Sequence, residues 1–227
     1  MNPILQARED RAEHTKRLMK EYPDKSTVIL KTNVVGENKN PLDMRFVCAF
    51  FNDLIQRNFR QKIILMGKIA SDDGNYCYYV IDEVGTIVKE RTINIEEINA
   101  LGRLIDIDVY YKKPINRQDL SCAMRTCLIC DNYAHLCVRD QRHTREEIDE
   151  KVKEIICEFL VEYLTNVTIK AIYSELELFP KCGLVSHRDS GCHTDMNYET
   201  FVHSAFAIRH DIEAYIKEAC NGAINPL

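Results

Sequence analysis

The stretch that most constrains the fold of this chain is Gly102-Arg103-Leu104-Ile105-Asp106-Ile107-Asp108-Val109. Read as a β-strand, it alternates: Ile105, Ile107 and Val109 point one way, Asp106 and Asp108 the other. Residues two apart on a strand lie about 6.5–7 Å apart along its axis. Two carboxylates at that separation, on the face away from a core, can share a divalent cation. Mg²⁺ is the natural guest, because it is held by one or two carboxylates together with substrate phosphates. Gly102 permits close backbone approach and Arg103 offers a planar fork to a phosphate. The pattern points to metal-assisted phosphoryl or nucleotidyl transfer. The plain alternative is the solvated face of an amphipathic strand that carries two acids.

The rest of the chain supplies the elements around that strand. Residues 3–22 have the spacing of an amphipathic helix, with Ile4, Leu5, Ala12, Leu18 and Met19 on one side and the cluster Arg8-Glu9-Asp10-Arg11 on its early turns. Residues 27–35 read as a strand running into the turn-rich loop Gly36-Glu37-Asn38-Lys39-Asn40-Pro41, where Gly36 and Lys39 are candidates to approach a phosphate. Residues 42–58 carry a helical apolar stripe: Met44, Val47, Phe50, Phe51, Leu54 and Ile55. Residues 62–70 and 76–82 are β-rich runs joined by the hairpin-type loop Ser71-Asp72-Asp73-Gly74-Asn75. The β-rich character is expected to continue through 85–95, with a short helix over 95–101 and the acidic strand over 103–111. Strands joined by hairpins as well as helices predict an α+β fold: a mixed or antiparallel sheet with flanking helices, followed by an all-α partial C-terminal segment.

A second cluster follows the strand. Cys127-x-x-Cys130, Cys137 and His143 place three thiols and an imidazole in a short span, a donor set that satisfies tetrahedral zinc. The alternative is three small buried residues and a phosphate-binding histidine. Arg117, Arg125, Arg139 and Arg142 surround the cluster and bring positive charge to a chain whose formal net charge is −5. Thr144, with Glu147 three residues on, is a capping-box helix start. Ile148, Val152, Ile155, Ile156 and Phe159 form its stripe, and Leu164-Thr165-Asn166 marks a break.

Taken in order, Gly102-Arg103-Leu104-x-Asp106-x-Asp108-Val109, Arg125-x-Cys127-Leu128-x-Cys130, Ala134, Cys137, Arg139 and His143 closely resemble the apo-citrate lyase phosphoribosyl-dephospho-CoA transferases, over residues 3–160. The Ala7-Arg8-Glu9-x-Arg11 segment and the Asn33, Gly36, Lys39 spacing belong to the same resemblance, with Val35 where the family has proline. It implies transfer of the phosphoribosyl-dephospho-CoA group from triphosphoribosyl-dephospho-CoA to a serine of the citrate lyase acyl carrier protein, with release of pyrophosphate. Asp106 and Asp108 would then hold Mg²⁺. Arg103 would serve catalysis, and Asn33, Gly36, Lys39, Gly102, Arg125 and Arg139 would bind substrate. The nucleophile belongs to the carrier, and either aspartate is open as general base.

After residue 160 the chain is similar to the start of the triphosphoribosyl-dephospho-CoA synthases. The residues are Glu175-Leu176, Phe179-Pro180-Lys181-Cys182-Gly183-Leu184-Val185, Gly191-Cys192-His193-Thr194-Asp195-Met196 and Phe201. The expected division is 1–160 and 161–227, a bifunctional fusion fragment. The short match and the departures at Cys182, Ser186 and Cys192 argue against synthase activity. The rivals are a zinc-stabilised interaction module, a nucleotidyltransferase acting on another triphosphate, and the equivalent transferase of malonate decarboxylase.

Composition bounds these readings. A pI of about 5.8 argues against general nucleic-acid binding. No apolar run is long enough for a membrane span, and the charged N-terminus lacks a signal-peptide core, so a cytoplasmic location and reduced thiols are expected for the ten cysteines.

Overall fold

In the computed structural model, residues 2–33 and 38–159 are described; Gly36 and everything from residue 160 onward, including the expected C-terminal helices with Lys181, His193 and Asp195, lie outside them. Backbone contacts divide the chain into two units, Met1–Ile156 and Cys157–Leu227.

Two of the strand runs, 63–69 and 105–111, alternate in burial with the period of a strand, and two, 26–32 and 76–81, are buried on nearly every residue, as central strands are. β1 (Ser26–Thr32), β2 (Ile63–Ile69), β3 (Tyr76–Ile81), β4 (Ile105–Tyr111) and the short β5 (Lys113–Ile115) form one sheet in the order β2-β3-β1-β4-β5. Every pairing is antiparallel, which resolves the expected mixed or antiparallel sheet. Register fixes the two faces. Val28, Leu30 and Thr32 stand beside Val109, Ile107 and Ile105 on one face, with Cys77 and Tyr79 on the other flank. Ile29 and Lys31 stand beside Asp108 and Asp106 on the opposite face, with Tyr78 and Tyr76.

The apolar face is covered by α2 (Leu42–Phe59) and α3 (Gly85–Glu96). Val47, Phe51, Ile55 and Phe59 of α2 are fully buried, and the Tyr79 hydroxyl donates to Asn52 Oδ1 at 2.6 Å. On the other face lies α1 (Pro3–Glu21), capped by Asn2, whose Oδ1 accepts from the Ile4 N–H. Its Thr15 and Leu18 are buried, but Leu5 is exposed, so the apolar side is shorter than the spacing suggests. The His14 ring meets Tyr78 edge-on, and Arg8 and Arg11 both pair with Asp73 in the β2–β3 hairpin at 2.9 and 2.8 Å. These two arginines therefore fix α1 to the hairpin, where Gly74 takes a φ of +95°.

Residues 85–95, expected to continue the β-rich region, are the helix α3. The β-branched Thr86, Ile87, Val88, Thr92, Ile93 and Ile95 favour strands by propensity. The buried set is Gly85, Val88, Lys89, Thr92, Ile93, Ile95 and Glu96, however, which is a helical stripe. Tertiary burial overrides the local preference. The short helix expected over 95–101 is a 3-10 turn at Ala100–Leu104, so Gly102 and Arg103 precede the strand, which starts at Ile105 and not at 103.

Beyond β5 come a 3-10 turn, α4 (Ala134–Arg139), and a helix α5 from 145 to the last described residue, 159. The expected capping box at its start is present: Glu147 N–H donates to Thr144 Oγ1 at 3.2 Å and Thr144 N–H to Glu147 Oε2 at 2.8 Å. Ile155 and Ile156 are its buried residues. Among the described residues no helix is long and apolar enough to cross a membrane.

Candidate functional site

The alternation of β4 holds. Ile105, Ile107 and Val109 are buried at 2 % exposure or less, and Asp106 and Asp108 are half-buried on the opposite face. They open onto a cleft of about 600 Å³, walled by Lys89 and Glu96 of α3, Tyr110 of β4, Arg117, and Arg125 with His135 from the later loops.

The outer edge of β4 is completed by side chains. β5 pairs with Val109–Tyr111 and then the chain turns away, leaving the backbone of Ile107 and Ile105 without a neighbouring strand. Glu96 Oε1 accepts from the Ile107 N–H at 2.9 Å, Lys89 Nζ donates to the Ile107 carbonyl at 2.9 Å, and Arg125 Nη1 donates to the Ile105 carbonyl at 2.7 Å. Buried backbone groups must be paired; here charged side chains take the place of a strand. Ile107 lies between the two aspartates, so Glu96 and Lys89 fix the backbone from which both carboxylates project.

Glu96 is the hub. Its Oε2 lies 2.7 Å from Arg117 Nη2 and 2.8 Å from Arg125 Nη2, and its side chain is only 4 % exposed. Gly102 makes room for it: a Cβ on Gly102 would stand 1.8 Å from the Glu96 carbonyl oxygen. That neighbour is backbone and cannot swing aside. Gly102→Ala is expected to displace the end of α3 and cost about 1–3 kcal/mol, read as a lowered midpoint in urea unfolding together with loosened protection of the Ile107 amide.

The electrostatics distinguish the two carboxylates. Asp106 pairs with two cations: Arg125 Nη1 at 3.4 Å and Lys31 Nζ, directly across from it on β1, at 3.5 Å. No hydrogen bond or ion pair ties the Asp108 carboxylate to a described residue. Burial raises its pKa, Asp106 and Glu96 add to that, and Lys31 and Lys89 oppose it. Burial also lowers the Lys89 ammonium and, with the Asp108 charge, raises the Tyr110 hydroxyl. A half-buried carboxylate with a raised pKa and no partner, 6–7 Å or so along the strand from a second one, fits a divalent cation. Lys31, Lys89, Arg117 and Arg125 around it suit polyphosphate oxygens.

The other expected site residues are dispersed. Arg103 donates to the Thr126 carbonyl and does not line the cleft. Asn33 is exposed at the end of β1, where its N–H donates to the Leu104 carbonyl at 2.8 Å. Lys39 lies beside the hairpin, its carbonyl against Gly74. Arg139 is 70 % exposed and pairs with Asp140. Lys89 and Glu96 escaped the sequence reading because Lys89 was expected in a strand and Glu96 in a separate short helix, so the two were not placed on one face. Their signal is two charges seven residues apart, two helical turns, on the buried stripe of α3.

The cysteine cluster does assemble. The ligand atoms of Cys127, Cys130, Cys137 and His143 all lie within 4.8 Å of one another, so the cluster could hold a metal ion. Cys130 Sγ is 3.5 Å from Cys137 Sγ and 3.3 Å from His143 Nε2. Hydrogen bonds from Asn132, then His143, bring the Cys130 thiol down to about 6, and burial pushes Cys137 up to about 11.

The family described as CitX, apo-citrate lyase phosphoribosyl-dephospho-CoA transferase, matches residues 1–159, and that described as CitG, ATP:dephospho-CoA triphosphoribosyl transferase, matches residues 161–225. Protein CitXG of Haemophilus influenzae is 32% identical over 216 residues, 92% of this chain and 46% of that protein. Protein CitXG of Leuconostoc mesenteroides is 29% identical over 231 residues, 95% of this chain and 49% of that protein. A probable apo-citrate lyase phosphoribosyl-dephospho-CoA transferase of Streptococcus pyogenes is 29% identical over 166 residues, 70% of this chain and 86% of that protein. The chain spans about half the length of the two CitXG relatives.

Proposed function

The chain belongs to the apo-citrate lyase phosphoribosyl-dephospho-CoA transferase family over residues 1–159, and on that premise we propose that it loads the citrate lyase acyl carrier protein with its prosthetic group. The donor is triphosphoribosyl-dephospho-CoA and the acceptor a serine of the carrier. The observation that carries this reading is the Asp106–Asp108 pair facing a cationic cleft large enough for a polyphosphate. Residues 1–160 form the transferase part, and 161–227 a partial synthase-like segment to which no synthase activity is assigned.

The reaction joins the serine oxygen to the phosphorus nearest the ribose and breaks its anhydride bond, so that pyrophosphate leaves. Asp106 and Asp108 would hold Mg²⁺, whose charge would offset that of the phosphate oxygens. The chain's own residues do the rest. Arg125 and Arg117 line the cleft, where they take up charge growing on the leaving pyrophosphate, and Lys31 stands behind Asp106 as its counter-charge. Glu96 and Lys89 keep the carboxylates in place through the Ile107 backbone. The serine proton passes to a carboxylate oxygen of the pair that is not engaged on the ion. Arg103, tied to Thr126, acts by holding the later loop to the start of β4. Asn33, Gly36, Lys39 and Arg139 are proposed to contact the remainder of the donor or the carrier. An ion held by all four cluster residues would have no open position, which suits a structural zinc and not a catalytic one.

Incubation with apo-carrier, donor and Mg²⁺, followed by intact-mass analysis of the carrier, tests the reading. A mass gain equal to phosphoribosyl-dephospho-CoA, dependent on Mg²⁺, is expected. A donor-independent or absent gain refutes it. A gain on the carrier of malonate decarboxylase and not on that of citrate lyase reassigns the acceptor.

A further inference from the structure

We propose that one zinc ion at Cys127, Cys130, Cys137 and His143 is what holds the Arg125–His135 wall of the cleft in place. Two independent observations carry the proposal. The first is the donor geometry. A Zn–S bond of about 2.3 Å and a Zn–N bond of about 2.0–2.1 Å set tetrahedral donor–donor edges of roughly 3.5–3.8 Å. The sulfur–sulfur and sulfur–nitrogen distances of 3.5 and 3.3 Å are within a few tenths of those edges, and all four donors sit inside 4.8 Å.

The second is how little apolar packing holds this segment: polar ties from Arg117, Arg125 and the Thr126 carbonyl fix its beginning, and beyond them burial is sparse. From residue 116 to residue 154 one residue, Cys137, is buried. A stretch of this length without an apolar core of its own needs a staple, and a structural metal is one of the few available to a chain with free thiols. The hydrogen bonds within it are local: Cys127 N–H to the Asn132 carbonyl at 2.6 Å, Ala134 N–H to the Arg125 carbonyl at 3.0 Å, and Cys137 N–H to the Tyr133 carbonyl at 3.3 Å. They close a loop whose tip carries Cys127 and Cys130 and whose base carries Arg125 and Ala134.

That base is the cleft wall. Arg125 reaches Glu96, Asp106 and the Ile105 carbonyl, and Ala134 and His135 line the same space. A metal at the tip of the loop would therefore bear on the cleft through the loop base, where Arg125 meets Asp106 of β4. The metal site stands on its own geometry; the claim that its wall matters for binding rests on reading the cleft as a polyphosphate site.

The test uses the whole chain. Metal analysis is expected to give one zinc per chain, removable by a strong chelator and lost in Cys137→Ser. In the chelated wild-type protein, hydrogen exchange at the amides of Cys127, Ala134 and Cys137 is expected to accelerate at least tenfold, while Val28, Tyr79 and Leu30 of the sheet stay protected. Binding of inorganic tripolyphosphate with Mg²⁺ is expected to weaken at least tenfold and to recover on adding zinc. Substoichiometric metal that added zinc cannot raise overturns the site. Stoichiometric zinc whose removal leaves both exchange and tripolyphosphate binding unchanged overturns the wall. Zinc-dependent protection with no tripolyphosphate binding even in the loaded protein upholds the metal-held loop and overturns the polyphosphate reading.

Discussion

Asp108→Asn is expected to abolish most transfer and yet to raise the melting temperature. The loss should be about 10²–10³-fold, the scale of removing one preorganised charge from a transition-state site. The gain in stability follows from the raised pKa. Burial makes the charged carboxylate unfavourable in the fold, so the native protein binds a proton more readily than the unfolded chain. For a carboxyl shifted upward, the favourable protonated form is complete below the unfolded pKa and is lost as pH rises through the folded one. At neutral pH the wild type carries the unfavourable charge and the asparagine does not. The difference in melting temperature should shrink as pH falls into the carboxylate range, where the wild type also becomes neutral. By the same sign, at subsaturating Mg²⁺ a reaction that needs Asp108 ionised to take up the ion should lose rate on acidification at a pH above the ordinary carboxylate range, and saturating Mg²⁺ should move that loss to lower pH. Parallel melting curves and initial rates from neutral to acid pH check both. Asp106→Asn lacks the stabilising half of this pattern, because it releases Lys31 and Arg125 from their counter-charge.

Glu96→Ala should be the most damaging single change outside the apolar core. It takes away the carboxylate shared by Arg117 and Arg125, each only 15–20 % exposed and left with Glu97 and with Asp106 and the Ile105 carbonyl respectively, and leaves the Ile107 N–H without its acceptor. Removing one partner of a buried charge network typically costs about 3–5 kcal/mol, because the remaining charges stay desolvated. Glu96→Gln keeps an acceptor for Ile107 and loses only the charge, so its cost should fall between alanine and wild type. Urea unfolding of the three proteins orders them. A Glu96→Ala protein as stable as wild type contradicts the account of the β4 edge.

The sheet was legible where alternation and burial agree. Ile105, Ile107 and Val109 against Asp106 and Asp108 read directly as two faces, and Ser71–Asn75 read as a hairpin. Thr144 with Glu147 read as a helix start because both halves of a capping box are local. α3 was not legible from propensity, since its β-branched residues suit either structure and only the core it meets decides between them. The same gap hid Lys89 and Glu96: their importance lies in an edge of β4 that the chain leaves unpaired, a tertiary fact. Arg103 was read by residue type, yet its partner is a backbone carbonyl twenty-three residues on. The Cys127, Cys130, Cys137 and His143 cluster was legible because its spacing is short enough for neighbouring loops to gather the four side chains.

The most direct test of the paired carboxylates is diffraction from crystals grown with Mn²⁺ in place of Mg²⁺ and with tripolyphosphate, read as anomalous density. The account predicts a peak at about 2–2.3 Å from a carboxylate oxygen of both Asp106 and Asp108, with phosphate oxygens completing its shell toward Arg125. A peak bound only elsewhere, or phosphate density in the cleft with both aspartates turned away from any ion, contradicts it.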